Sequence, residues 1–146
     1  MSILNETNVL LNQTVESKDE AIKAAGKLLV QGGYVEESYI DSMLEREQTV
    51  STYMGNFIAI PHGTDGSKES IKKSGISVVQ IPNGVNFGKP DEDKLVTIVF
   101  GIAGVGDEHL DILSQIAVYC SEIENVVKLA DAKSESEIVQ LLGGID

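Results

Sequence analysis

Hydrophobic positions along this chain fall into two patterns, and each predicts a kind of element. Ala21, Ile22, Ala25, Leu28 and Leu29 recur every three or four residues, the period of one face of a helix. Ser17 stands ahead of them as a cap with Glu20 as its capping-box partner, and Gly32-Gly33 supplies the left-handed residue that ends helices. A second helix is predicted from near Glu36, with Tyr39, Ile40, Met43 and Leu44 on one side and Glu45, Arg46 and Glu47 in its last turn. Arg46 thereby falls near a helix end. The other pattern is the short apolar run. Asn8-Val9-Leu10-Leu11 reads as a short strand, and Phe57-Ile58-Ala59-Ile60 as another that Pro61 must close, because proline has no N–H to give to a ladder. His62 lands just beyond that strand end. Ile76 to Ile81 and Leu95 to Ala103 carry β-branched residues on both faces, as expected of central strands covered by helices on either side.

After the second of these runs, Gly101-Ile102-Ala103-Gly104-Val105-Gly106 leads into Asp107, a cap-forming residue type. The predicted helix beyond it shows Leu110, Leu113, Ile116, Ala117 and Cys120 on one face, with His109 in its first turn. Ser121-Glu122-Ile123-Glu124 and Ser134-Glu135-Ser136-Glu137 are capping-box patterns for two terminal helices, the last stopping at Gly143-Gly144. This order of elements gives an α/β fold, a mixed β-sheet sandwiched between helices. With 146 residues, 42% of them hydrophobic, the chain has material for one core, so a single domain over residues 1–146 is expected.

Charge narrows the partners. A formal charge of −12, from 23 acidic against 11 basic side chains, opposes nucleic-acid phosphates and anionic lipid alike. No apolar run approaches the ~20 residues that cross a bilayer, so direct membrane insertion is not expected. The first residues lack a basic start followed by an apolar stretch, and a lone cysteine, Cys120, fits a reducing compartment. A cytoplasmic location is expected.

Candidate chemistry centres on the two histidines. Read blandly, each is a surface or hydrogen-bonded structural residue. His62 stands out by its setting, Ile60-Pro61-His62-Gly63-Thr64, where proline ends a strand and glycine removes bulk beside the imidazole, so that a large acceptor can approach. A neutral imidazole is a nucleophile near neutral pH, and a phosphoryl group on its nitrogen stays reactive. His109, at a helix N-terminus, has the positive helix end and backbone N–H groups beside it, both favourable to a phosphoryl anion. Arg46 offers a planar fork for phosphate oxygens; its bland reading is an exposed partner of Glu45 or Glu47. Thr64 is either a hydroxyl donor to the phosphoryl group or a turn residue. Cys120, on an apolar helix face, reads as a small buried hydrophobe. The glycines at 101, 104 and 106 follow a strand but run G-x-x-G-x-G with no P-loop lysine, which makes a nucleotide site remote and a turn that places His109 the better reading.

The chain resembles the enzyme IIA component of the bacterial sugar phosphotransferase system, in its mannitol/fructose class and most closely the mannitol members. The matching segments include Gln31-Gly32-Gly33-Tyr34-Val35, Met43-Leu44-Glu45-Arg46-Glu47, Thr52-Tyr53-Met54-Gly55, Ile58-Ala59-Ile60-Pro61-His62-Gly63-Thr64, Gly84-Val85-Asn86-Phe87-Gly88 and Glu108-His109. The resemblance implies that phospho-HPr donates a phosphoryl group to Nε2 of His62. It implies that the group then passes to a cysteine of enzyme IIB of a mannitol permease (enzyme IIB/IIC), with His109 and Arg46 beside the phosphoryl group. It also implies that no cofactor and no metal take part. The alternative within the same fold is a regulatory protein-binding module whose phosphohistidine acts as a sensor. An acidic rim together with apolar contacts such as Phe57 around His62 is the expected partner-facing surface, and such a rim would steer a basic patch on HPr.

Overall fold

A computed structural model describes residues 3–143, all but the side chain of Asp65. Strand β1, Val9–Leu10, is followed by α1, Lys18–Gln31, and α2, Ser38–Thr49. Two short strands come next, β2 at Tyr53–Gly55 and β3 at Ile58–Ala59, then the long pair β4, Gly75–Asn86, and β5, Leu95–Ala103. Helices α3, Glu108–Cys120, α4, Ile123–Asp131, and α5, Glu135–Leu141, complete the described chain. Gly144, part of the predicted helix stop, lies outside the described residues.

The sheet runs in the order β1-β4-β5-β3-β2 and is mixed. β1 is parallel to β4 and β3 parallel to β5, whereas β4 pairs antiparallel with β5 and β2 with β3. The β-branched runs therefore do form interior strands. Alternation splits their side chains between two cores. Ile76, Val78, Ile98, Phe100 and Ile102 pack with Ile112, Ile116, Cys120, Leu129 and Ile138 of the three C-terminal helices. Val79, Ile81, Val96, Val99 and Ala103 pack with Ala21, Ile22, Ala25 and Leu29 of α1 and with Tyr39 and Met43 of α2. Helices cover both faces, as the patterning requires.

Two serine caps form as expected and each box closes one residue further out. Ser17 Oγ accepts from Glu20 N at 3.2 Å, but the Glu20 carboxylate accepts from Glu16 N at 2.8 Å. Ser134 and Glu137 repeat the arrangement, with the carboxylate on Lys133 N. Ser121 departs from expectation: its hydroxyl donates to Val118 O, and α4 begins after Glu122 with no side-chain cap. Asp107 departs too, since it is already helical (φ −76°, ψ −12°) and makes no capping bond. On α3 the buried stripe is Ile112, Ile116 and Cys120, while Leu110 stands 65% exposed.

The β2–β3 hairpin turns through Asn56 and Phe57 at φ +49° and +68°, positive at both central positions as in a type I′ turn. Asn56 suits it and ties the turn to the end of α3 by donating to Cys120 O at 2.9 Å. A buried polar hub lies in β4, where Gln80 Nε2 donates to the carbonyls of Leu129, Ala130 and Ala132 and Oε1 accepts from Asn12 N. These bonds bring a side-chain donor to the carbonyls at the end of α4, where helical partners run out.

Candidate functional site

The segment carrying His62 is fixed from three directions. β3 lies parallel to β5, and one residue pair of that ladder continues past Pro61, with His62 opposite Ile102 and Ile102 N donating to Pro61 O at 3.0 Å. On the other side Ile60 N donates to Thr52 O at 3.1 Å. From below, the Tyr39 hydroxyl accepts from Gly63 N and donates to Ile102 O, both at 2.8 Å. Burial raises the Tyr39 hydroxyl to about 12, so it remains a donor at neutral pH.

His62 is half-buried, and its Nδ1 lies 2.8 Å from Ile60 O. A carbonyl can only accept, so this contact puts a proton on Nδ1, and in the neutral ring the lone pair is then that of Nε2. The imidazole of His109 meets that of His62 edge to face, centroids 5.0 Å apart at 63°. The two histidines, distant in sequence, are therefore brought together. Gly104 makes this possible, because a Cβ there would collide with the backbone of His109. Gly106, at φ +59°, turns the chain into α3. Gly104 and Gly106 form the turn that delivers His109, whereas Gly101, read with them as part of that turn, lies inside β5 opposite Ser77.

A cleft of about 250 Å³ opens beside the pair, lined among others by Tyr39, Gly63, Thr64, Lys68, Asp107 and His109. Thr64 lines it, while the local turn is held by its carbonyl, which accepts from Ser67 N at 3.0 Å and Ser67 Oγ at 2.5 Å. The expectation for Gly63 needs correction. The space beside it is filled from within, since a Cβ there would strike the Tyr39 ring and Ser67 Oγ. Phe57 is also misplaced in the sequence reading. It precedes β3 while His62 follows it, so the two lie at opposite ends of that strand, about 16 Å apart at the usual strand rise.

Arg46 sits in the last turn of α2, and its Nη1 donates to Val50 O at 2.7 Å. It is paired with neither Glu45 nor Glu47, the two partners of the bland reading. Glu47 is 3% exposed and holds the α2–β2 connection instead, with Oε1 accepting from Thr52 N at 2.9 Å and Thr52 Oγ1 at 2.5 Å, and Oε2 3.9 Å from Lys18 Nζ. Because Thr52 O is the acceptor for Ile60 N, the turn bearing Arg46 is coupled to the segment that orients His62. Tyr39 and Glu47 were both read as ordinary helix positions. The signal for Glu47 is its place in the buried stripe, four residues beyond Met43 and eight beyond Tyr39; no sequence signal distinguished Tyr39 from core.

Cys120 is buried, and burial pushes its thiol up to about 12, the behaviour of a small core residue and not of a nucleophile. Among the described residues no group of three or more His, Cys, Asp or Glu is placed to hold a metal ion, and no helix is long and apolar enough to cross a membrane.

Such a fold, with a histidine pair at the end of an interior strand, defines an EIIA-type component of a sugar phosphotransferase system. The chain belongs to the family described as phosphoenolpyruvate-dependent sugar phosphotransferase system, EIIA 2, whose sequence profile matches residues 2–144. It is 55% identical over 142 residues to the mannitol-specific phosphotransferase enzyme IIA component of Enterococcus faecalis, covering 97% of this chain and 98% of that protein. It is 53% identical over 146 residues to the Bacillus subtilis protein of the same description, covering 100% of both. Among solved structures it is similar to enzyme IIAMTL in its complex with phosphorylated enzyme IIBMTL from Escherichia coli. That match has a TM-score of 0.90 at 38% identity and covers 97% of each chain.

Proposed function

We propose that this chain is the cytoplasmic phosphocarrier of a mannitol phosphotransferase system, taking a phosphoryl group from phospho-HPr on Nε2 of His62 and handing it to the cysteine of enzyme IIB. One observation carries the assignment of the atom: Nδ1 of His62 donates to Ile60 O. With that proton fixed, the Nε2 lone pair attacks phosphorus, the donor's N–P bond breaks, and its electron pair stays with the donor nitrogen. The ring gains positive charge as it attacks, and the Nδ1–H to carbonyl bond strengthens at that moment. In the onward step a thiolate of enzyme IIB attacks phosphorus and the N–P bond electrons return to Nε2. The leaving group is then neutral imidazole, since Nδ1 has kept its proton throughout. That retention keeps the phosphoryl group transferable in both directions.

His109 and Arg46 stabilise the charge in transit. His109 sits against His62 at the start of α3, whose positive end favours an anion. Arg46, held on Val50 O at rest, lies on the helix turn coupled to the His62 segment through Glu47 and Thr52 and supplies a guanidinium to phosphoryl oxygens during transfer. The chemistry needs no cofactor and no metal, because the histidine is the carrier. The similarity to a IIA chain complexed with phosphorylated IIB supports enzyme IIB as acceptor.

The test is intact mass after incubation with enzyme I, HPr and phosphoenolpyruvate. Wild type and His109→Ala gain one phosphoryl group, and His62→Ala gains none. Labelling of His62→Ala would overturn the assignment and redirect it to His109.

A further inference from the structure

We infer that Tyr39 is a positioning residue for phosphoryl transfer, its hydroxyl acting as a wedge in the sheet that sets the orientation of His62. This rests on the carrier role proposed for His62.

In a parallel ladder with His62 opposite Ile102, two bonds are expected: Ile102 N to Pro61 O, and Gly63 N to Ile102 O. The first is present at 3.0 Å. In place of a direct second bond, the Tyr39 oxygen stands between the partners, accepting from Gly63 N and donating to Ile102 O, each at 2.8 Å. The hydroxyl occupies the place a bridging water would take, but it is held by a side chain buried to 1% exposure. Its proton is secure, because burial raises the group to about 12.

The wedge has a geometric consequence. A direct bond would draw the His62-Gly63 peptide onto β5 by on the order of 1–2 Å, given ordinary N–H to O distances, and would extend the strand through the carrier residue. With the hydroxyl inserted, regular pairing stops at His62. The residue leaves the sheet at an angle that lets Nδ1 reach back to Ile60 O and the ring meet His109. Gly63 belongs to the same device, since any Cβ there would collide with the Tyr39 ring. Tyr39 touches neither phosphorus nor the attacking nitrogen; it acts through the peptide that follows His62.

Tyr39→Phe keeps the ring and removes the wedge. Phosphoryl transfer from phospho-HPr is expected to slow by roughly 10–100-fold, the range that small misplacements of a reacting group produce. The loss should fall on kcat with KM for phospho-HPr unchanged. The ¹⁵N shifts of the His62 ring, measured on the unphosphorylated protein, should move away from the pattern of an Nδ1-protonated imidazole, and thermal unfolding reports whether the variant is folded. Wild-type transfer rates, unmoved ring shifts, or a loss confined to KM would each overturn the inference. The ring shifts need no phosphoryl donor. If wild type failed to accept a phosphoryl group on His62, the carrier reading would fall while the shifts still decided whether Tyr39 orients the imidazole.

Discussion

Helices α1 and α3 begin in contrasting ways. α1 has a serine cap on Glu20 N and a carboxylate reaching back to Glu16 N, and its buried side packs Ala21, Ile22, Ala25 and Leu29 against the sheet. α3 begins on a helical Asp107 that caps nothing, with an exposed Leu110 in its first turn and His109 against His62. A capping side chain fills the space in front of the first amides and stabilises a helix by about 1 kcal/mol. At α3 no side chain takes that place, and Glu108 N donates to Val105 O at 3.2 Å. On the carrier reading proposed above, the contrast separates a helix end built for stability from one whose positive pole is turned toward the phosphoryl group. The far end of α3 is ordinary core, with Cys120 buried and its carbonyl held by Asn56.

The largest effect expected from this contrast is on transfer. His109→Ala should still accept a phosphoryl group on His62, but roughly 100-fold to 1,000-fold more slowly, the usual consequence of losing one preorganised stabilising group. Its thermal stability should stay near wild type, because His109 is not part of either buried core. Single-turnover transfer from phospho-HPr measures this, and an unchanged rate would remove His109 from the charge-stabilising set.

Next in size is a loss of stability in alkali, which tests the other end of α3. The Cys120 thiol is raised from 9.0 to about 12 by burial. A raised folded value means stability that is complete below pH 9 and lost as pH climbs through 12, because unfolding then releases a proton. Tyr39, raised from 10.0 to about 12, adds to the loss above pH 10. Denaturant titrations from pH 8 to 11 should show unfolding free energy falling, and Cys120→Ala should flatten the part that begins near pH 9. Equal slopes in the two proteins would contradict a buried thiol at that position.

Much of this arrangement is legible in the residues themselves, for identifiable reasons. β5 was bounded correctly because its β-branched run is uninterrupted between a lysine and a glycine turn. α1 was bounded because serine and glycine mark its two ends. β2 was missed because Tyr53-Met54-Gly55 has no apolar alternation and is recruited by hydrogen bonds from β3. β4 ran further than its apolar core suggested, since Pro82 and Gly84 signal a break that an irregularity between Gln80 and Val85 absorbs. At the site, Pro61 and the glycines beyond β5 gave the ends on which His62 and His109 sit. Tyr39 was invisible as a site residue because a buried tyrosine in an apolar stripe differs from core only by where its hydroxyl points. Arg46 was placed on its helix turn, but the acceptor for its guanidinium, a backbone carbonyl, leaves no trace in side-chain identity.

The smallest expected effect bears most directly on the two helix starts. Ser17→Ala removes the hydroxyl that accepts from Glu20 N and should cost about 1 kcal/mol, with phosphoryl transfer unaltered. Asp107 is the same class of capping residue at the corresponding place on α3, yet Asp107→Ala should change stability by less than ~0.5 kcal/mol, because no capping bond exists to be lost. Its effect should appear in transfer, and with a positive sign. Asp107 lines the cleft beside His109, and removing its charge lessens repulsion of the incoming phosphoryl anion. Denaturant midpoints and transfer rates for the two variants give four values, and the expected pattern is lost stability with unchanged transfer for Ser17→Ala and unchanged stability with faster transfer for Asp107→Ala. If Asp107→Ala were instead as destabilising as Ser17→Ala, α3 would be a capped helix like α1, and its N-terminus would have no special relation to the phosphoryl group.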